Sequence, residues 1–218
     1  MTDTEHAGMR PLPLPPPPGP GPLRLTVWDA PNMDMSLGTV LGARPGQDTR
    51  PDYTAVATWL CRRAPAVETI EAVVFANIPP GAEERMGGWV IAVRQAGFGV
   101  YARPKNDADS DVDEAMVALV EARRDEGELA ELIVASHDAR CFGPVADDLT
   151  ADGTVVTVLG YRELLTGYRD HDVTVVDIED VPGAFSKPLP RSHLFDLPAE
   201  GRWLPPLTLL TPSRGTDG

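Results

Sequence analysis

Between residues 23 and 178 short apolar runs alternate with segments of helical spacing, and that alternation predicts the architecture. LRLTVWD (23–29), TIEAVVFAN (69–77), FGVYAR (98–103), ELIVASHD (131–138), TVVTVLG (154–160) and DVTVVDI (172–178) read as buried strands. Among the intervening segments, DYTAVATWLCRRA (52–64) puts Tyr53, Val56, Ala57 and Leu60 on one face, with Asp52 placed to cap it. EERMGGWVIAVRQAG (83–97) reads as a helix stopped by Gly97. SDVDEAMVALVEARRDEG (110–127) carries Val112, Met116, Leu119 and Val120 on one side, and CFGPVADDLTADG (141–153) is a short helix. Residues 30–51 begin as a polar loop, and YRELLTG (161–167) links the last two strands. Strands alternating with helices imply parallel pairing with helices on both faces. The expected fold is α/β: a doubly wound, mostly parallel sheet of about six strands.

Proline marks the ends of this unit. Eight of the 23 prolines fall in residues 11–22, an extended, polyproline-like stretch that cannot pack a core. Six more lie in 188–212, beside short apolar anchors such as Trp203-Leu204. The expected division is a disordered proline-rich arm (1–23), a folded domain (24–182) and an irregular C-terminal tail (183–218). Each tail suits a protein partner, and the second is equally suited to covering its own domain.

Charge changes the picture. The net charge is −14, and the acids concentrate in 24–182, which holds 28 of them against 14 bases. An acidic domain does not draw nucleic acid by its mean field. No apolar run reaches the roughly 18 residues of a membrane span, so no membrane association is expected. The opening MTDTEHAGMRPLP carries no basic, apolar leader, and Cys61 and Cys141 make neither a disulfide framework nor a zinc site. A cytoplasmic, thiol-reducing setting is expected.

In a doubly wound sheet, ligands bind beyond the carboxyl ends of the strands. Asp29 ends the first strand without an evident capping role, Asp138 ends the fourth, and Asp107, Asp109, Asp111 and Asp113 lie between the third strand and its helix. If these strands neighbour one another, carboxylates from three parts of the chain meet on one rim. Their repulsion calls for a hard cation, Mg²⁺ or Mn²⁺. Asp109 and Asp113, four apart, share a helical face, whereas Asp111 points elsewhere. Taken singly, the acids at 109–113 and Asp138 also suit helix capping. Arg103, Lys105 and Arg140 flank the rim, as phosphate contacts or as ordinary loop charge.

Other constellations fail. Ser136-His137-Asp138 spells a triad, but neighbours on a strand face opposite ways. There is neither a GxGxxG after the first strand nor a GxxxxGK[ST], and the four histidines lack zinc spacing. Nothing in the linear sequence suggests a basic, aromatic-studded nucleic-acid surface.

VWDAPNM (27–33) resembles the Asp-x-x-Asn opening of NYN domains, a branch of the PIN-like metal-dependent ribonucleases that includes LabA-like proteins. Arg103-Pro104-Lys105 followed by Asp111-Val112-Asp113 is similar to the family's Lys-x-Val-Asp segment. ELIVASHDARCFGPVADDLTADGTVVTVLG (131–160) is similar to the stretch whose strand ends Ser-x-Asp. The resemblance covers about residues 24–180. It implies a Rossmann-like α/β/α sandwich that hydrolyses RNA phosphodiester bonds with Mg²⁺ or Mn²⁺. It also implies Asp29, Asp113 and Asp138 as metal ligands and Asn32 as a residue orienting substrate or water. The chain departs from the family where Arg140 stands in place of a second Asp, and where Leu119 or Val120 stands in place of an acid inside the helix. Asp109 is then a substitute ligand.

The expected function is a divalent-metal-dependent endoribonuclease with RNA as substrate, Arg103, Lys105 and Arg140 contacting its backbone. The alternative is a catalytically degenerate NYN-domain module that binds partners through its tails. A phosphohydrolase of small phosphorylated substrates stands third. A homodimer is a common assembly for compact α/β domains of this kind.

Overall fold

The computed structural model describes residues 14–16, 19–63, 67–105, 111–127, 129–191, 199–201 and 203. Six strands, β1 (Leu23–Asp29), β2 (Thr69–Ile78), β3 (Gly99–Pro104), β4 (Leu129–Ala135), β5 (Val155–Gly160) and β6 (Thr174–Asp177), form one sheet in the order β3-β2-β1-β4-β5-β6. Every pairing is parallel. The sheet is the expected doubly wound, Rossmann-like one. Its order reverses between β1 and β4, the switch point at whose carboxyl ends such sheets place their ligand crevice.

Parallel strands covered on both faces must be apolar at nearly every position, and all of β1 is buried. Alternation along the strands feeds two cores. Leu25, Val27 and Phe75 pack with Met116 and Leu119 on one face. Trp28, Val74 and Ile133 pack with Leu37, Val56 and Val93 on the other. Helices α2 (Tyr53–Arg62), α3 (Glu83–Gln95), α4 (Asp113–Asp125) and α5 (Ala139–Ala151) lie near the predicted positions. Residues 162–168 form a 3₁₀ turn.

One element departs from expectation. Residues 30–41 are not a polar loop but a helix, α1 (Ala30–Leu41), which starts directly at the end of β1. Asp29 caps it, Pro31 sits in its first turn, and Met33, Leu37 and Val40 are buried at helical spacing. Gly42 closes it in the left-handed region at φ 63°.

The amino-terminal edge of the sheet is tied by buried charge, away from the crevice. The Arg24 Nε donates to Glu131 Oε2, and its Nη1 donates to the Leu60 carbonyl at 2.7 Å. Arg63 Nη2 donates to Glu131 Oε1 at 2.8 Å and to Thr157 Oγ1 at 3.0 Å. Arg24 and Glu131 are each about 1% exposed, so removing Glu131 strands the Arg24 charge, whereas removing Arg24 leaves Glu131 paired with Arg63.

Both tails touch the domain where they are described. Leu14 packs against the α4/α5 core, and Arg123 Nη2 donates to the Pro15 and Pro16 carbonyls. At the other end Ala184 and Leu189 are buried in the α1–α3 core. Arg191 pairs with Glu163 and Glu179. The folded unit therefore runs past residue 182 to at least Arg191. Trp203 is 86% exposed, and Leu204 lies outside the described residues.

Candidate functional site

At the switch point β1 and β4 run side by side, with Trp28 paired to Ala135, so the next residues, Asp29 and Ser136, are neighbours. Ser136 Oγ donates to Asp29 Oδ2 at 3.2 Å and accepts from the Asp138 N–H at 3.2 Å. Asp29 Oδ1 accepts from the Asn32 N–H at 3.0 Å. Asp29 is thus the N-cap of α1, which supplies the capping role that the sequence did not reveal. Asp138 caps α5 by accepting from the Arg140 and Cys141 N–H groups at 3.0 and 3.2 Å.

The second link across the crevice is Asn32. Its Oδ1 accepts from the His137 N–H at 2.9 Å and lies 3.1 Å from His137 Nδ1. His137 Nε2 in turn accepts from the Tyr161 N–H at 2.8 Å, so the proton sits on Nδ1 and points at Asn32. Burial lowers the His137 pKa to about 4, which keeps the ring neutral. The imidazole stacks on Tyr161 at 5.4 Å. Ser136, His137 and Asp138 follow β4 rather than lying in it, and each takes a different partner.

Asp113 opens α4 opposite this rim, and the four described aspartates feel one another. Burial pushes the Asp29 carboxyl up to about 7, with the Asp113 and Asp111 charges adding to it against the bonds from Asn32 and Ser136. Burial also pushes Asp113 up to about 6, followed by the charges of Asp111 and Asp138. The Oδ1 of Asp113 is buried with no hydrogen-bond partner among the described residues. Crowded carboxyls of this kind hold either protons or a cation. The Cys141 thiol beside them is pushed up to about 12 by burial and by the Asp113 and Asp138 charges, so it is no thiolate nucleophile.

The structure brings Asp29, Asn32, Asp113 and Asp138 to one crevice and adds two residues that spacing did not point to, Asp111 and Ser136. α4 begins at Asp113, so Asp111 precedes the helix, and the argument that Asp111 faces away from Asp113 fails: the two carboxyls interact directly. Asp109 lies outside the described residues. Arg103 donates to the Asp111 carbonyl and so anchors the approach to α4. Arg140 is exposed beside Asp138, and Lys105 is exposed just past β3. Among the described residues, no three carboxylate, imidazole or thiol side chains converge tightly enough to enclose a metal ion.

On the other side of α1's first turn, at the carboxyl ends of β1 and β2, lies a cavity of about 570 Å³. Trp28, Tyr53 and Trp89 contribute aromatic rings to its wall. Among the described residues of the lining, Arg44, Arg50, Arg85 and Lys105 contribute cations and Asp34 the one carboxylate. These residues are scattered along the chain and meet only through the strand order.

A solved structure of a protein of unknown function from Vibrio parahaemolyticus matches with a TM-score of 0.52 and 17% identity, covering 72% of this chain and 93% of that one. At that identity the likeness concerns the fold alone. No family model and no curated protein matches the chain. Among the described residues, no helix is long and apolar enough to cross a membrane.

Proposed function

We propose that the chain is an NYN-like, divalent-metal-dependent ribonuclease whose reaction centre is the rim formed by Asp29, Asp111, Asp113 and Asp138. The observation that carries this reading is the crowding of carboxyls from β1, the α4 start and the β4 end at the switch point. Two of them are pushed to about 7 and about 6, and one buried oxygen, Asp113 Oδ1, has no hydrogen-bond partner among the described residues.

The residues fit Mg²⁺ or Mn²⁺ by donor type. Hard oxygen ligands suit these ions, and Mg²⁺ commonly binds through one or two carboxylates while keeping several waters. Asp113 with Asp111 forms such a pair, and Asp29 and Asp138 flank it. When bound, the ion would neutralise phosphodiester charge and acidify water. The chain's own groups do the rest. Ser136 and the α1 N-terminus fix the Asp29 carboxyl, and the α5 N-terminus fixes Asp138. The Asn32–His137 link holds the two sides of the crevice at one separation. Arg140, exposed beside Asp138, would meet backbone phosphates; Lys105 lines the cavity on the other side of α1 instead, and Arg103 reaches the phosphates only by leaving the Asp111 carbonyl. RNA as substrate and a cytoplasmic setting belong to this reading.

Metal-dependent cutting of single-stranded RNA by the wild type, lost in Asp138→Asn, tests it. One observation favours a second reading. Asp29 and Asp138 are each already committed to a helix cap, and no three ligands enclose a site among the described residues. A catalytically silent module binding a partner through its proline-rich and C-terminal segments would have this appearance. Well-folded protein that cuts no RNA with either metal would support it.

A further inference from the structure

The cavity on the α1–α3 face is a separate feature from the acidic rim, and the proposal drawn from it does not depend on that rim. Its position follows from the pleat. Trp28 and Asp29 are successive residues of β1, so their side chains leave on opposite faces of the sheet. Asp29 faces α4, whereas Trp28 enters the aromatic cluster with Tyr53 at 5.2 Å and Phe98 at 6.4 Å. Tyr53 extends that cluster to Trp89 at 6.4 Å. Tyr53 and Trp89 are half-buried, so each is fixed by packing while still lining the cavity.

The charge of the lining runs against that of the chain. Asp34 is neutralised by Arg50, which donates to its two oxygens at 2.8 and 3.1 Å. Arg44, Arg85 and Lys105 make no ion pair among the described residues, although acids outnumber bases 33 to 19. They come from three elements, the segment after α1, the first turn of α3 and the end of β3. Burial raises the Tyr53 and Tyr161 hydroxyl pKa values, so neither adds negative charge. The result is a cluster of cationic side chains beside fixed aromatic rings, in a volume within the ~300–1,000 Å³ range of small-ligand sites. A solvated run of surface charge would have neither the rings nor the concavity.

We propose that this cavity binds a nucleotide unit, with the base against Trp89 and Tyr53 and the phosphate on Arg85, Lys105 and Arg44. Rings give sequence-tolerant stacking, and guanidinium groups with a lysine give phosphate recognition. The unit is either a free mononucleotide or one residue of an RNA chain.

The test is quenching of tryptophan fluorescence, since Trp28 and Trp89 both line the cavity. AMP and a 5′-phosphorylated tetra-adenylate are titrated separately into the full chain in EDTA. Saturable binding is expected, with adenosine at least about tenfold weaker than AMP. Arg85→Glu with Lys105→Glu should weaken binding at least about tenfold, while Arg169→Glu, exposed and outside the lining, should leave it unchanged. Trp89→Leu, followed by calorimetry, should weaken binding about five- to a hundredfold. Asp138→Asn should bind as the wild type does, which separates this site from the rim. A tetranucleotide that binds at least about tenfold tighter than AMP assigns the site to RNA, and equal affinity assigns it to the free nucleotide. Folded protein that neither ligand quenches, adenosine equal to AMP, or a double reversal without effect would each overturn the proposal.

Discussion

The Asn32 side-chain oxygen accepts the His137 backbone N–H at 2.9 Å, across the crevice where the strand order reverses. This bond, with the 3.1 Å contact to His137 Nδ1, ties the first turn of α1 to the end of β4. With the Ser136–Asp29 bond at 3.2 Å, it holds the two walls of the rim together.

Asn32→Ala removes the acceptor for both groups and leaves the buried His137 ring N–H unpaired. A loss of about 1–3 kcal/mol is expected, read as a lower urea midpoint with an unchanged slope. Asn32→Ser, which retains an oxygen on a shorter arm, should recover at most part of it. An unchanged midpoint in Asn32→Ala would mean that the link carries no load.

Gly160 is required for the same assembly. A Cβ there would stand 2.6 Å from His137 Nε2, whose ring is held by the Tyr161 N–H and Asn32, and 2.9 Å from Leu165 Cδ2. Gly160→Ala should therefore cost about 1–3 kcal/mol and displace the imidazole from the Tyr161 N–H. The His137 ring resonances, followed through an NMR titration, should then move from a pKa near 4 toward the ordinary value.

The rim sets a pH dependence with a definite sign. Asp29 and Asp113 titrate at about 7 and about 6 in the folded state and near 3.8 when unfolded. Between those values the folded chain holds protons that the unfolded chain has lost, so their contribution is complete below about pH 4 and fades as pH rises to about 7. A decline of about 1–3 kcal/mol is expected over that window, and it should flatten in Asp29→Asn with Asp113→Asn. Mn²⁺ at pH 8 should raise the wild-type Tm and raise that of the double variant less.

Glu131 tests the opposite edge of the sheet. Glu131→Ala leaves Arg24 buried without its carboxylate and should cost about 3–5 kcal/mol in chemical denaturation. Replacing Arg24 and Glu131 together with apolar residues should cost less than Glu131→Ala alone, because only Arg63 then loses its carboxylate.

How far the sequence foretold these features depended on whether the signal was local. Continuous apolar runs announced the six buried strands, and an aspartate at the end of two of them pointed to the crevice. Helix α1 was missed because Pro31, Asn32, Asp34, Ser36 and Gly38 gave 30–41 the composition of a loop. Its true signature was the cap, Asp29 followed by Pro31 and then Met33, Leu37 and Val40. Reading Asp29 as uncapped was the cost of that miss. A helix starting at residue 110 would turn Asp111 away from Asp113, but α4 begins at Asp113, so Asp111 precedes it. The cavity was not legible at all. Trp28, Arg44, Tyr53, Arg85, Trp89 and Lys105 share no spacing, and they meet only because β3, β2 and β1 stand in that order.

The most direct measurement is cleavage of a labelled single-stranded RNA with Mn²⁺ or with chelator, comparing wild type with Asp138→Asn and Asp113→Asn. Asn is as good an N-cap as Asp, so Asp138→Asn should keep α5 and the fold intact. Asp113 is no cap, so both variants lose a carboxylate and little else. Cutting by the wild type in Mn²⁺ only is expected, with loss of at least about a hundredfold in either variant and a Tm in chelator no lower than that of the wild type. Wild-type cutting that persists in chelator, or that survives in both folded variants, would contradict a metal-dependent acidic rim.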